Sequence, residues 1–309
     1  MSTVTITPTK HSFKFPVLLI FILVVTFLQG QISKENKNSF DVIFYNVENL
    51  FDTINDVGHR DGEFTPEGSK NWNTNKYFTK IHRINEVMAE YHDIGLMGLC
   101  EVENKRVLED VIKKFPNLHI AHHDSPDNRG IDVALLFNEN YFDTLDTKAI
   151  PIFFKNKEKT SYSRDILLVH LITKKRPKRD VFVLVNHWPS RMGGETKSQP
   201  KRLHASKVVL STIDSIAKNF PKAKIMLMGD LNDHPSNHSV EKLKKVLIPC
   251  ISEKSGNYQG SYHYRGEWQI LDHIMISQNL VTDKKFHFMG NSGEILEPPF
   301  LISFKNGKA

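Results

Sequence analysis

The sequence predicts one α/β domain with mixed strand pairing, on three observations. Short apolar runs alternate with segments whose apolar residues recur at helical spacing across most of the chain. Several runs are continuously apolar, such as residues 225–228, as in strands covered on both faces. Some consecutive runs are joined by short turns, which suits antiparallel neighbours beside parallel ones.

The 309 residues are 39% hydrophobic and 25% charged, an ordinary globular composition that excludes a disordered or fibrous chain. At the N-terminus Lys10 and Lys14 precede an uncharged apolar run over 17–28 and then LQGQ, with small Gly30 at a plausible cleavage point. Twelve residues are short for a bilayer span, so the expectation is a secretory signal over 1–30 and a secreted or periplasmic protein. The alternative is an uncleaved membrane anchor. No Cys follows the run, so a lipoprotein anchor has no attachment point. Without residues 1–30 the formal charge falls from +6 to +4, compatible with a phosphate-bearing substrate but too weak to indicate nucleic-acid binding by itself. Cys100 and Cys250 could pair in an oxidising compartment, although Cys100 lies within an apolar strand.

The elements follow in order. Residues 31–39 read as a polar linker, and the domain is expected over 40–309. Residues 40–45, aromatic and β-branched, form a first strand that delivers Asn46, Glu48 and Asn49. A polar loop over 53–75 is long for a connection; its Phe64 and Trp72, with Tyr77 beyond, either stack bases or pack the sheet edge. A helix through Tyr77, Ile81, Ile84 and Met88 leads to a strand over 94–100 ending at Glu101, followed at once by a second helix. Strands at 118–122, 131–137, 166–172 and 181–185 come next, with the basic turn KKRPKR between the last two. Residues 150–154 (IPIFF) read as a buried strand rather than a loop reaching a bilayer. A long helix through Leu203 and Ile216 precedes the strand ending at Gly229-Asp230, and a final strand lies within EWQILDHIMIS at 267–277.

The chemistry concentrates at strand ends. Asn46 with Glu48, Glu101, His187, and Asp230 with Asn232 terminate four apolar strands, and Asp272 lies in a fifth. Open α/β sheets hold ligands beyond the carboxyl ends of their strands. Asp230 and Asn232 could instead simply hydrogen-bond their own backbone, and Glu101 could be a first-turn helix carboxylate. Carboxylate and amide oxygens without thiolates suit a hard cation, Mg²⁺ or Mn²⁺, whose remaining positions go to water and phosphate oxygens. Phosphate ester hydrolysis fits the whole set. Arg129 and Arg191, beside glycine or turn residues, are candidate phosphate contacts.

In FYNVENLFD, GLCEVEN, RGIDVALLF, VNHWPSR, GDLND and LDHIMIS, in this order, the chain resembles the endonuclease/exonuclease/phosphatase family, the DNase I-like metal-dependent phosphodiesterases, and within it a secreted bacterial branch. The resemblance implies a four-layer sandwich, two packed mixed sheets with helices outside. It makes Glu101 the principal metal ligand, with Asn46 beside it and Glu48 contributing through water. Asp230 then orients or activates the nucleophilic water, Asn232 holds the transition-state oxygens and His187 contacts the scissile phosphate. The expected substrate is a phosphodiester, with nucleic acid among the candidates; no stable protein partner is indicated and a monomer is expected.

One departure stands out. Family members finish with a Ser-Asp-His block on a last core strand, and this sequence ends in PPFLISFKNGKA without it. Asp272 matches the aspartate that orients that histidine. The expectation is therefore a truncated domain, lacking its last core strand and with little phosphodiesterase activity of its own. His234 and His273 are the substitute bases to examine. The alternatives are an inactive phosphate-ligand binding protein and a lipid phosphodiesterase.

Overall fold

The computed structural model describes residues 39–91, 93–155, 160–253 and 255–301. The expected signal segment, most of the linker and the last eight residues lie outside the described residues. The chain divides after Ser39, and the second unit begins at Phe40.

Two sheets carry the fold. The first runs β1 (Asp41–Leu50), β2 (Ile94–Val102), β4 (Asp132–Asn138), β3 (Leu118–His122), with β1 and β2 parallel and the other pairs antiparallel. The second runs β11 (Ile248–Pro249), β14 (Asp272–Ile276), β10 (Lys224–Asp230), β9 (Asp180–His187), β8 (Ile166–Thr173), β5 (Phe142–Ile150); only β9 and β10 are parallel. Both sheets are mixed, as the short turns predicted. Two small hairpins, β6 (Phe153–Lys155) with β7 (Thr160–Tyr162) and β12 (Tyr262–Tyr264) with β13 (Glu267–Gln269), lie outside them.

Three apolar layers separate four layers of structure. Between the sheets, Leu96, Cys100, Val133 and Leu135 meet Val169, Val183, Val185, Met226 and Met228. The sheets come so close that a Cβ on Gly98 would lie 2.4 Å from Met228 Sδ. Helices α1 (Thr74–Ala89) and α2 (Lys105–Ile112) cover the outside of the first sheet through Ile81, Ile84, Met88, Val107, Leu108 and Val111. Helix α3 (Glu195–Asn219) and the short α4 (His238–Leu243) cover the second through Ala205, Val209, Ile213, Ile216 and Val240. A final short helix, α5 (Gln278–Thr282), follows β14. No described helix is long and apolar enough to cross a membrane. The two cysteines are free.

Several expectations need correcting. The edge strand β5 is additional to the strands the sequence predicts: FDTLDTKAI is almost wholly exposed after Phe142 and lacks an apolar run. The helix after Glu101 does not start at once: β2 continues to Val102, and α2 opens after Asn104, whose side chain accepts from Val107 N. Glu101 is therefore not a first-turn helix residue. The 267–277 block is two strands, and Asp272 opens the second of them instead of lying inside one long strand. IPIFF is not one buried strand; Ile152 is buried and Phe154 partly so, while Phe153 is exposed in the β6 hairpin. The loop aromatics pack: Phe64 stacks on Phe51 at 4.2 Å, Trp72 Nε1 donates to Phe51 O, and Tyr77 is buried with its hydroxyl on Asp110.

Candidate active site

The register of the second sheet gathers the candidate residues. Asp230, the last residue of β10, stands opposite His187 at the end of parallel β9 and opposite Asp272 at the start of antiparallel β14. Because β14 runs the other way, its first residue reaches the same sheet end that β9 and β10 reach with their last. Across the sandwich, β1 and β2 run parallel and bring Asn46 and Glu101 to this mouth: Asn46 Nδ2 donates to Asp230 Oδ2 at 3.1 Å, and His187 Nε2 lies 3.9 Å from Glu101 Oε1 and 3.8 Å from Asp230 Oδ2.

Local backbone geometry aims these groups. Glu48, Glu101 and Asn232 all adopt positive φ, at 53°, 63° and 51°. Non-glycine residues rarely do so, and such strain concentrates at functional sites. Asn46 Oδ1 accepts from Glu48 N at 2.9 Å, and Asp230 Oδ1 accepts from Asn232 N at 2.8 Å. The turn-type bond foreseen for Asp230 and Asn232 is thus present, yet it leaves Asp230 Oδ2 at the mouth. A Cβ on Gly229 would lie 2.3 Å from Asn186 O, so only glycine lets β10 lie this close to β9.

The buried carboxylates face too little positive charge. Burial raises Asp230 to about 6, with Glu101 adding to the rise and the bonds from Asn232 and Asn46, and Arg164, opposing it. Burial, and then Asp230, pushes Asp272 well above the usual carboxylate range. Its Oδ1 is buried with no hydrogen-bond partner. Burial, then Arg164 and Arg129, holds His187 well below the ordinary imidazole range, so its ring is neutral, and Nδ1 has no partner.

Two residues at the site escaped the sequence reading. Arg164 is buried beneath the mouth, donating to Trp188 O at 2.7 Å and pairing with Asp127 at 3.3 Å. Lys80 of α1 donates to Glu48 O at 2.8 Å; burial lowers its pKa, and the charges of Glu48 and Glu101 oppose that lowering. Neither lies at a strand end or in a motif, so no local signal marks them. Arg129 is half exposed, pairs with Asp127 at 3.6 Å and is close enough to act on His187. The guanidinium of Arg191 donates to Asn232 O, Gln269 Oε1 and Asn237 Oδ1 and so braces the loop after β10. Neither substitute base stands free at the mouth. His273 is buried against Asp233 O at 2.9 Å, with burial lowering it to about 4, and His234 bonds Ser236.

Asn46, Glu48 and Glu101 present oxygen donors, and no thiolate stands among them. That set fits a hard divalent cation, and the clustered, under-neutralised acids are what such an ion relieves.

A four-layer α/β sandwich with acids, amides and an imidazole converging at one end of its paired sheets defines a class of fold and site. The model of the Endonuclease/Exonuclease/phosphatase family matches residues 41–309, and the chain belongs to that family. The family is one of hydrolases, nucleases and phosphatases among them, and divalent-metal dependence is typical of it. No curated protein matches the chain by sequence. Among solved structures it is similar to an endonuclease/exonuclease/phosphatase family protein from Bacteroides thetaiotaomicron, with 15% identity and a TM-score of 0.52 over 76% of this chain and 82% of that one. It is similar to the mannosyl-6-phosphatase Bt3783 of Bacteroides thetaiotaomicron VPI-5482, at 14% identity and a TM-score of 0.52 over 76% and 84%. A functionally unknown conserved protein from Enterococcus faecalis V583 is matched at 16% identity and a TM-score of 0.52 over 76% and 86%. At these identities the likeness speaks for the fold alone.

Proposed function

We propose that the protein is a divalent-metal-dependent phosphoesterase acting on a phosphodiester. The observation that supports this best is the convergence of Asn46, Glu101, His187 and Asp230, from four strands in two sheets, within hydrogen-bond or near-contact distance. Glu101 and Asn46, with Glu48 through water, would hold the cation. When bound it supplies Lewis-acid charge at the phosphoryl oxygens.

The remaining steps belong to this chain. Asp230, raised to about 6, is a base of moderate strength that takes a proton from the attacking water. Neutral His187 offers one ring N–H to a phosphoryl oxygen without bringing a charge into a buried place. Asn232 Nδ2 is fixed on Trp188 O at 3.1 Å, leaving its second amide hydrogen for the growing negative charge. Arg129 and Lys80 add positive charge at the rim, and Arg164 offsets part of the acid cluster from beneath. A cavity of about 640 Å³ lined in part by Arg191, Tyr258, Trp268 and Gln269 is the place we assign to the ester's remaining group.

The test pairs binding with turnover. Mn²⁺ titrated calorimetrically into the protein and into Glu101→Gln should show at least about tenfold weaker binding in the variant. Hydrolysis of bis(4-nitrophenyl) phosphate should depend on the metal and on Asp230. Equal metal affinity in both proteins removes Glu101 from the site. Metal and phosphate binding with no turnover of any phosphodiester favours the non-catalytic binding protein.

A further inference from the structure

The loop between β1 and α1 holds a second group of acids, separate from the mouth. One carboxylate oxygen from each of Asp56, Asp61 and Glu103 lies within 4.8 Å of the other two. Asp61 is 2% exposed and Glu103 5%. One oxygen of each is used: Asp56 N donates to Asp61 Oδ2 at 2.8 Å, and Asp52 N to Glu103 Oε2 at 2.7 Å. The other two, Asp61 Oδ1 and Glu103 Oε1, are buried with no hydrogen-bond partner. Among the described residues no Lys, Arg or His pairs with any of the three; the nearby cation Arg106 is engaged with Asp52. A buried carboxylate oxygen without a partner is costly, and two of them beside a third carboxylate repel each other as well. Glu101 and Glu103 are two residues apart but serve different neighbourhoods, the first facing His187 and the second the Asp52 backbone.

We infer that Asp56, Asp61 and Glu103 form a binding site for a calcium ion that ties the 53–75 loop to the end of β2. Calcium takes six to eight oxygen ligands at about 2.3–2.6 Å, so oxygens around it lie no more than about 5 Å apart, which this cluster satisfies. Three carboxylates from a loop and a strand end suit its irregular shell better than that of magnesium, which demands near-octahedral geometry and keeps its water. The consequence reaches the mouth through the backbone. Arg60 N donates to Asn128 O at 2.8 Å, and a Cβ on Gly130 would lie 2.8 Å from His59 Nδ1, so the loop lies against the turn that carries Arg129. Filling the site fixes that turn.

The experiment uses the full chain, freed of metal by chelation, as parent, Glu101→Gln, Asp56→Asn, Asp61→Asn and Glu103→Gln. Asp61→Asn and Glu103→Gln keep an oxygen for the backbone bond each accepts, and Asp56, at the solvent edge, is the variant least able to disturb folding. Calorimetry with CaCl₂ should find this site in the parent and in Glu101→Gln. Its affinity should fall by about tenfold or more in the three loop variants, as loss of one charged ligand implies. Saturating calcium should raise the parent's unfolding midpoint by about 5 °C and slow tryptic cleavage after exposed Arg60, with both effects smaller in Asp56→Asn and Asp61→Asn at the same calcium concentration. Without calcium the order should reverse, Asp61→Asn being at least as stable as the parent because one repelling charge is gone. The inference is overturned if calcium leaves the parent unchanged, if the loop variants bind it as tightly as the parent, or if Glu101→Gln abolishes all calcium binding.

Discussion

Strand β10 buries a charged residue at each end. At its first residue Lys224 Nζ lies 3.0 Å from Asp283 Oδ2 and donates to Asn279 O at 2.7 Å, while Arg179 Nε reaches the same carboxylate at 2.6 Å. Two cations share one acid, which these bonds hold well below the usual carboxylate range. At its last residue Asp230 stands opposite Asp272 on one neighbour and His187 on the other, with Glu101 across the sandwich. There Glu101 adds to the rise of both Asp230 and Asp272, Arg164 opposes that of Asp230, and two polar atoms, Asp272 Oδ1 and His187 Nδ1, lack partners. One strand thus carries a satisfied ion network at one end and an under-neutralised acid cluster at the other. The satisfied end contributes to stability, whereas the other is costly to keep and is where chemistry belongs.

The sharpest way to break this contrast is to exchange the charges for amides. Asp230→Asn should reduce metal-dependent phosphodiester hydrolysis by about 10³-fold, since a base is lost. Its unfolding midpoint at pH 7 should not fall, because a like charge goes too. A variant that keeps its rate, or that unfolds more easily, contradicts the assignment of this end.

Asp283→Asn should do the opposite. It leaves Lys224 and Arg179 without their acid and should cost about 3 kcal/mol in urea unfolding, as removing one partner of a buried ion pair does. Turnover should stay within about twofold, because no candidate site residue touches Asp283.

The two ends should also titrate with opposite sign. Asp230 at about 6 lies above an unfolded aspartate near 3.8. Its contribution is complete below the unfolded value and is lost as pH rises through about 6. Asp283, lowered in the fold, contributes above the unfolded value and loses that contribution as pH falls toward its folded value. Urea midpoints compared between parent and Asp230→Asn should therefore diverge as pH rises. Those of parent and Asp283→Asn should converge in acid.

The smallest effect belongs to Asp272→Asn. Burial and Asp230 disfavour its charged form, so removing the charge should change stability at pH 7 by less than about 1 kcal/mol. Asp233, three residues after Asp230 but paired with Arg202 at 2.6 Å, should cost about 3 kcal/mol in the same exchange, measured the same way.

How far these ends could be read beforehand differs between them. Asn46, Glu101, His187 and Asp230 were legible because each closes an apolar run, and a run's end marks where the chain leaves a covered layer for solvent. The Lys224, Asp283 and Arg179 network was not: Arg179 sits in a basic turn that reads as solvated, and Asp283 follows a short helix. Their meeting depends on where α5 and the β8–β9 turn fall in space. Asp272 was legible as a residue but not as a strand start, because its position depends on β14 running against β10.

The sequence by itself determined the α/β class, the strand blocks around the site and the oxygen-rich chemistry at their ends, since burial periodicity and residue type are local properties. Only the tertiary structure decided that Arg164 lies beneath the mouth, that Lys80 reaches Glu48 from a helix, and that Arg191 braces a loop. It also decided that Glu103 turns to the 53–75 loop while Glu101 faces His187. Those outcomes rest on contacts between residues tens of positions apart, fixed by the packing of two sheets and by backbone turns into positive φ at Glu48, Glu101 and Asn232, and no local pattern encodes either.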